Sequence, residues 1–347
     1  MVLVSIAWLL APSWATKKSN QTTVTAPEIL LAGGRKLVWE RSFDSEYAVK
    51  TKRGFWSKVL DVIAGQPEFH TLVRPYSIAV DSRGRVIVTD PGVSGVHIFD
   101  LAEQKYKFIE RKEKDKDAML TPQCVAVDAQ DNIYVTDSDV GKIFVFDRNG
   151  KYQRAIGSLK GGEGYFKRPT GIAVDSAGER IYVTDTLRDQ IFVLDMQGSV
   201  LQTIGKRGDG PGEFNYPTEL RLDGDQLIVV DAMNFRVQVL DRFGTFRYAI
   251  GKIGSSTGAV FRPKAVGVDS EGDLYVVDAL WSVVQAFNRE GQLLYYFGGK
   301  GDQPGQFQLP EGMFIDHDDH IFVVDSFNRR IQIFHFFALK KSGKDGM

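Results

Sequence analysis

The sequence predicts an all-β fold, a six-bladed β-propeller of four-stranded antiparallel blades. The first observation behind this prediction is a proline that recurs every 46–48 residues. The second is an aspartate that ends an apolar run in every copy and keeps the same spacing. Two landmarks that stay in step over six copies indicate one repeated structural unit. The prolines are Pro75, Pro122, Pro169, Pro217, Pro263 and Pro310, and the aspartates are Asp90, Asp137, Asp185, Asp231, Asp278 and Asp325.

Each copy contains four short segments rich in Val, Ile, Phe and Tyr. In the third copy they are residues 171–175, 181–185, 190–195 and 200–204. Alternation with period two predicts strands, and turn residues such as Gly separate them. We name the strands a to d from the inside of the ring outwards. A four-stranded repeat of this length is a propeller blade, which covers both faces of its sheet only against neighbouring blades.

A phenylalanine precedes the proline in four copies, at nearly the same distance. Large apolar residues at a repeated position are expected to fill the space between neighbouring blades. The four residues are Phe166, Phe214, Phe261 and Phe307.

Two motifs carry a family resemblance. Residues 208–217 read Gly-Asp-Gly-Pro-Gly-Glu-Phe-Asn-Tyr-Pro, and residues 230–241 read Val-Asp-Ala-Met-Asn-Phe-Arg-Val-Gln-Val-Leu-Asp, a pattern that residues 324–334 repeat. With six copies over about residues 72–337, the chain resembles the NHL repeat family. It is also similar to exported bacterial NHL proteins, many of which carry a lipid-attachment cysteine that has no counterpart here. The resemblance implies binding near the central channel, at the face formed by the d–a and b–c loops.

The sixth copy has strands a to c but no strand d, because a polar tail over residues 339–347 follows it. An open ring would leave an unpaired edge, so residues 36–43 are expected to pair outside strand c of blade six. Helical spacing of apolar residues predicts a short helix over residues 52–65. We therefore predict a flexible N-terminal segment over residues 16–35 and a propeller over residues 36–338. Its blades are expected to start near residues 74, 121, 168, 216, 262 and 309.

The composition and the N-terminus bear on location and partners. The formal net charge of −1 gives no bulk attraction to nucleic acid or anionic membrane. A lone cysteine, Cys124, excludes an internal disulfide and a cysteine-rich zinc module. A short apolar run followed by small residues predicts a signal peptide over residues 1–15. We expect a periplasmic or extracellular protein with no transmembrane segment and no membrane anchor.

The residues that follow the prolines begin the inner strands and therefore rim the mouth of the channel. Glu219 and Glu311 are a candidate carboxylate pair, with Lys264 on the blade between them. The rim fits either a solvated channel mouth or a site for a small ligand or metal. The rim positions are Tyr76, Gln123, Thr170, Thr218, Lys264 and Glu311, and the next position adds Glu219.

The loops on the same face carry basic and aromatic residues. Some NHL propellers bind single-stranded RNA through such a face, where aromatic rings stack on bases. Acidic residues dilute the positive charge here, and exposed aromatic residues favour a protein-binding patch. The candidate loop residues are Arg188, Arg236, Trp281, Phe327 and Arg329.

Three patterns bear on metal or enzyme chemistry. The six repeated aspartates either form a ring that suits Ca²⁺ or accept N–H bonds from the adjacent turn, which would explain their presence in every blade. Residues 316–320, Asp-His-Asp-Asp-His, have the composition of a metal site but occupy an a–b turn. Some relatives are amidating lyases that hold zinc with inner-strand histidines, whereas no rim position here is histidine. The chain also carries no His-Glu-x-x-His motif.

These observations favour a non-enzymatic interaction propeller that binds a protein or peptide at the d–a and b–c face. They assign no catalytic residue, no metal ligand and no cofactor, and they leave calcium and zinc open without a residue pattern that supports either. The first alternative is a metal-dependent lyase or hydrolase at the channel mouth. The second alternative is single-stranded RNA binding.

Overall fold

The polypeptide closes into a ring of antiparallel sheets. The computed structural model describes residues 27–49, 69–112, 117–159, 164–254 and 258–338. Within these ranges, 25 strands form six sheets, and the helices are 3-10 turns of three residues. No helix in the described part of the chain is long and apolar enough to cross a membrane. The predicted six-bladed propeller of four-stranded antiparallel blades is confirmed.

The strands follow the chain around the ring, from strand a to strand d in each of the first five blades. Two strands precede the blades, β1 (Glu28–Leu30) and β2 (Lys36–Phe43). Blade one contains β3 (Ser77–Val80), β4 (Val86–Asp90), β5 (Gly95–Asp100) and β6 (Lys105–Glu110). Blade two contains β7 (Pro122–Val127), β8 (Ile133–Asp137), β9 (Lys142–Phe146) and β10 (Tyr152–Ile156), and blade three contains β11 (Pro169–Asp175), β12 (Arg180–Asp185), β13 (Gln190–Asp195) and β14 (Val200–Ile204).

The second half of the ring repeats this order. Blade four contains β15 (Pro217–Asp223), β16 (Gln226–Asp231), β17 (Arg236–Asp241) and β18 (Phe246–Ile250). Blade five contains β19 (Pro263–Val268), β20 (Leu274–Asp278), β21 (Val283–Phe287) and β22 (Leu293–Gly298). Blade six contains β23 (Met313–Ile315), β24 (His320–Asp325) and β25 (Arg330–Phe337).

Blade six is completed by the N-terminal strands, in the order β1-β2-β25-β24-β23. The prediction that residues 36–43 close the ring is confirmed, because β2 pairs antiparallel with β25 from Lys36↔Phe337 to Phe43↔Ile331. The prediction of a flexible segment over residues 16–35 is wrong for residues 28–30. These residues form β1, which pairs with the outer edge of β2. The three residues of β1 are too few to show the alternation of apolar and polar residues from which a strand is predicted. The predicted signal peptide, the helix over residues 52–65 and the polar tail lie outside the described residues.

The buried apolar side chains form six clusters, and each cluster lies between two neighbouring blades. Between blades three and four, for example, Tyr182 and Ile191 pack with Leu220 and Leu227. Leu37 of the closing strand belongs to the cluster between blades five and six. Each blade is therefore stabilised by apolar surface that it buries against its two neighbours.

The phenylalanines before the prolines enter these clusters in three blades. Phe166, Phe214 and Phe307 are buried there, as predicted. The prediction for Phe261 is wrong, because its side chain is exposed and Val260 is buried in its place. Phe261 stands two residues before its proline rather than three, so it falls at the next position of the loop.

The aspartate that ends strand b ties the d–a loop to its blade. All six carboxylates are fully buried. In blade five, Asp278 accepts N–H bonds from Phe261 (2.8 Å) and Arg262 (3.2 Å) in the preceding loop, and from Leu280 (3.1 Å) in the following turn. Asp137 accepts the corresponding bonds in blade two. Backbone hydrogen bonding thus accounts for the repetition of this residue.

Shortening one buried side chain of the closing strand β2 tests whether this strand stabilises the ring. Leu37 is 1% exposed within the last interblade cluster, so Leu37→Ala leaves a cavity and is expected to lower the free energy of unfolding by about 2–5 kcal/mol. Leu30 is 81% exposed on β1, and Leu30→Ala is the matched control, with an expected change below about 0.5 kcal/mol. Urea denaturation measures both. Equal stability of the two variants would show that the ring does not depend on this strand.

Candidate functional site

The mouth of the channel holds two carboxylates, each beside a cation. Lys264 Nζ lies 2.7 Å from Glu311 Oε2, which joins blades five and six. Glu219 is buried on β15, and its Oε1 lies 3.4 Å from Arg221 Nε. The two carboxylates predicted as a pair therefore contact different cations rather than a shared ligand position. No rim residue belongs to a group of three metal-ligating side chains among the residues described.

Arg221, which was not among the predicted site residues, crosses the channel. It belongs to blade four, yet its Nη2 donates to the carbonyl oxygens of Met313 in blade six and Ile78 in blade one (3.3 Å for Ile78). Its guanidinium carbon lies 5.0 Å from the centre of the Phe314 ring. One sequence signal marks Arg221, since the equivalent residue is small in four other blades. Those residues are Ala79, Ala126, Ala173 and Gly267.

Burial keeps protons on several groups at the mouth. It raises the pKa of Glu219 to about 8, with the nearby Glu311 carboxylate adding to the shift and Arg221 opposing it. Burial also raises the pKa of Tyr76 and of the Cys124 thiol well above their ordinary values. Cys124 is therefore a neutral packing residue rather than a nucleophile.

The remaining rim residues connect adjacent blades. In each case the backbone carbonyl of the rim residue accepts a hydrogen bond from a threonine on strand b of the preceding blade. The pairs are Thr89 with Gln123, Thr136 with Thr170 at 2.5 Å, and Thr184 with Thr218 at 3.4 Å. These three rim positions serve the contact between blades one to four.

Two of the predicted basic loop residues are bound within the scaffold. Arg236 donates to Asp231 Oδ2 at 2.8 Å and to the carbonyl of Gly210 at 2.9 Å. Arg188 donates to Asp185 Oδ2 at 3.1 Å. In blade six Arg330 makes the bonds of Arg236, while Arg329 is exposed. These hydrogen bonds engage Arg188 and Arg236 within the fold. Two of the cations predicted to contact RNA phosphates on this face are therefore already paired.

An arc of exposed apolar side chains follows the same face over four consecutive blades. Each one is the second residue after the aspartate that ends strand b. Hydrogen bonds hold their loops, as when the N–H of Met233 donates to the carbonyl of Asn215 at 3.0 Å. The equivalent residues of blades one and two are Gly92 and Asp139. We name this set the apolar arc, and its members are Leu187, Met233, Leu280 and Phe327.

Further exposed residues flank the apolar arc. Trp281 lies next to Leu280 and is half exposed. Tyr216, Phe261 and Leu309 are exposed in the d–a loops of the same blades. The loops of this face also carry exposed cations that form no ion pair with any described residue, namely Arg168, Arg262 and Arg329. Of the predicted site residues, Trp281, Phe327 and Arg329 are thus exposed in the loops of this face, whereas Arg188 and Arg236 are engaged in hydrogen bonds there.

The comparisons with known proteins agree with the architecture. A family model described as a 6-bladed beta-propeller matches residues 107–182 and 173–237. No curated protein sequence matches the chain.

Solved structures share the fold at low identity. A Bacteroides thetaiotaomicron protein of unknown function is 13% identical, with a TM-score of 0.61, 90% of this chain covered and 84% of that chain. Virginiamycin B lyase from Staphylococcus aureus is 15% identical, with a TM-score of 0.55 and coverage of 76% and 96%. A chain of a nidogen/laminin complex is 21% identical, with a TM-score of 0.54 and coverage of 71% and 88%. At these identities the chain shares a six-bladed β-propeller fold with proteins of diverse function.

Proposed function

We propose that this protein is an interaction propeller that binds a peptide segment of a partner protein along the apolar arc. The observation that carries the proposal is the repetition of an exposed apolar side chain at one loop position in blades three to six. Single exposed apolar residues are common on protein surfaces, whereas a set on neighbouring elements is typical of an interaction site. With the predicted signal peptide, we place this binding in the periplasm or outside the cell.

The exposed side chains suggest the chemistry of the partner. Phe327 and Trp281 offer large apolar contact area, which dominates the binding energy of many interfaces. Arg168, Arg262 and Arg329 add positive charge along the same face. We therefore expect a peptide that carries both apolar side chains and carboxylates. The propeller fold is compatible with this role, since a similar chain occurs in a nidogen/laminin complex.

Peptides selected from a displayed library on the immobilised protein test the proposal. We expect the double variant Leu280→Ala/Phe327→Ala to bind the selected peptides at least about tenfold more weakly, because central aromatic and aliphatic anchors carry most of the affinity. The matched control is Phe243→Ala. Phe243 is 59% exposed, close to the 63% of Phe327, but lies in a c–d turn on the opposite face. Equal loss in both variants, or no loss in the double variant, would contradict the proposal.

A lyase or hydrolase at the channel mouth is the second candidate. The observation that favours it is Glu219, whose carboxyl is buried and has a raised pKa of about 8. A carboxylic acid that keeps its proton at neutral pH is a candidate general acid. A lyase with the same fold is among the solved structures.

The pH dependence of stability tests whether Glu219 holds this proton. Its folded pKa of about 8 lies above the ordinary value of 4.5, so the stability contributed by the protonated form is complete below pH 4.5 and lost as the pH rises towards 8. Glu219→Gln cannot ionise. From pH 5 to 8 the unfolding free energy of the wild type should therefore fall relative to that of the variant, by at most about 1.4 kcal/mol per pH unit.

Chemical denaturation across this pH range is the measurement. Glu179→Gln, at an exposed turn, is the control and should give a profile parallel to the wild type. If Glu219→Gln also runs parallel to the wild type, Glu219 is ionised throughout and the general-acid role is wrong.

A further inference from the structure

Three metal-ligating side chains meet in blade six at the end opposite the apolar arc. They are His320 at the start of β24, His335 on β25 and Glu40 on β2. One ligand atom from each lies within 4.8 Å of the others. His320 and His335 are direct cross-strand partners, and Val38 of the closing strand is the partner of His335 on its other side. The cluster therefore spans three adjacent strands, and two of them come from opposite ends of the chain.

A β-bulge brings Glu40 to this cluster. The pairing of β2 with β25 shifts register between Trp39 and Arg41, so Glu40 is the extra residue of the bulge. Bulges redirect a side chain relative to regular pairing. Glu40 Oε1 lies 3.3 Å from His335 Nδ1, and both side chains remain accessible to solvent.

The ring of His320 is oriented by a carboxylate. Its Nδ1 lies 3.1 Å from Asp316 Oδ2 in the a–b turn. A carboxylate accepts a hydrogen bond, so this contact places the proton on Nδ1 and leaves the lone pair of Nε2 for a ligand. In blade two the equivalents of His320 and Asp316 are Asn132 and Asp128, and the Asn132 side chain donates a hydrogen bond to the Asp128 carboxylate. The contact belongs to the scaffold, but in blade six it positions an imidazole.

His335 occupies the position at the end of strand c where, in other blades, an aspartate accepts hydrogen bonds from the c–d turn. In blades three and four the equivalent residues, Asp195 and Asp241, accept N–H bonds from that turn. Blade six has no c–d turn, because its strand d comes from the N-terminal part of the chain. The position is therefore free for another use, and the His335 ring stacks on Phe337 at 4.0 Å.

We propose that Glu40, His320 and His335 bind a transition-metal ion of the zinc class, with water as the fourth ligand. Imidazole nitrogen and carboxylate oxygen are ligands that Zn²⁺ prefers. Tetrahedral coordination at about 2.0–2.2 Å needs ligand atoms about 3.3 Å apart, which small side-chain rotations reach from the observed separation. Glu40 and Asp316 together balance the charge of a divalent ion. The bound metal would join the closing strand to strands b and c, and so would stabilise the closed ring.

Metal binding to the full chain, purified without a polyhistidine tag, tests this assignment. Titration calorimetry with Zn²⁺ should give one site, and Co²⁺ should give the visible absorption of a tetrahedral complex. His320→Gln, His335→Gln and Glu40→Gln should each weaken Zn²⁺ binding at least about tenfold. Saturating Zn²⁺ should raise the Tm of the wild type by roughly 5 °C and leave that of the double histidine variant unchanged.

The control is His317→Gln, in the same turn as Asp316. The His317 side chain is 89% exposed and lies outside the cluster, so this variant should bind Zn²⁺ like the wild type. Circular dichroism establishes that each variant is folded. Equal affinity in the wild type and the double histidine variant would overturn the site. Loss of binding in the histidine variants without any loss in Glu40→Gln would overturn the role of the closing strand.

Discussion

The structure depends on one constraint: a blade covers its apolar faces only with the faces of its neighbours. Each of the six apolar clusters lies between two blades. Removing one contact exposes two faces at once, so the blades are stable as a ring rather than as independent units. The last of these contacts depends on β2, which supplies Leu37 and Phe43 to the clusters on the two sides of blade six. Residues 28–43 and 313–337 thereby contribute strands to a single sheet.

The constraint also divides the residues by role. Residues that recur in every blade maintain the blade, as the buried aspartates of strand b do by binding the d–a loops. Arg236 and Arg330 do the same in blades four and six. The candidate functional residues therefore lie where some blades differ from the others. Arg221, the apolar arc and the histidines of blade six are all such departures.

These departures lie in three different places. At the channel mouth most charged side chains contact partners within the protein, since Arg221 donates to carbonyls across the channel and Lys264 pairs with Glu311. The loop face instead displays apolar and basic side chains that the fold does not use, which is the property expected of a binding surface. At the opposite face of the ring, the cluster of Glu40, His320 and His335 lies where the closing strand β2 pairs with β25. Ligand binding at this cluster would act on ring closure, away from the loop face.

The sequence by itself determined the blade number, the strands of the repeats and the identity of the closing strand, because these follow from local periodicity and from counting strands in each repeat. It also assigned Trp281, Phe327 and Arg329 to the face of the d–a and b–c loops, since loop order assigns a loop to a face. Only the tertiary structure decided which side chains meet. The hydrogen bonds of Arg236 and the contacts of Arg221 across the channel depend on packing that periodicity does not encode. The exposure of Phe261, by contrast, follows from its shorter spacing to the proline. Glu40 and His335 are far apart in the chain, and ring closure alone makes them neighbours.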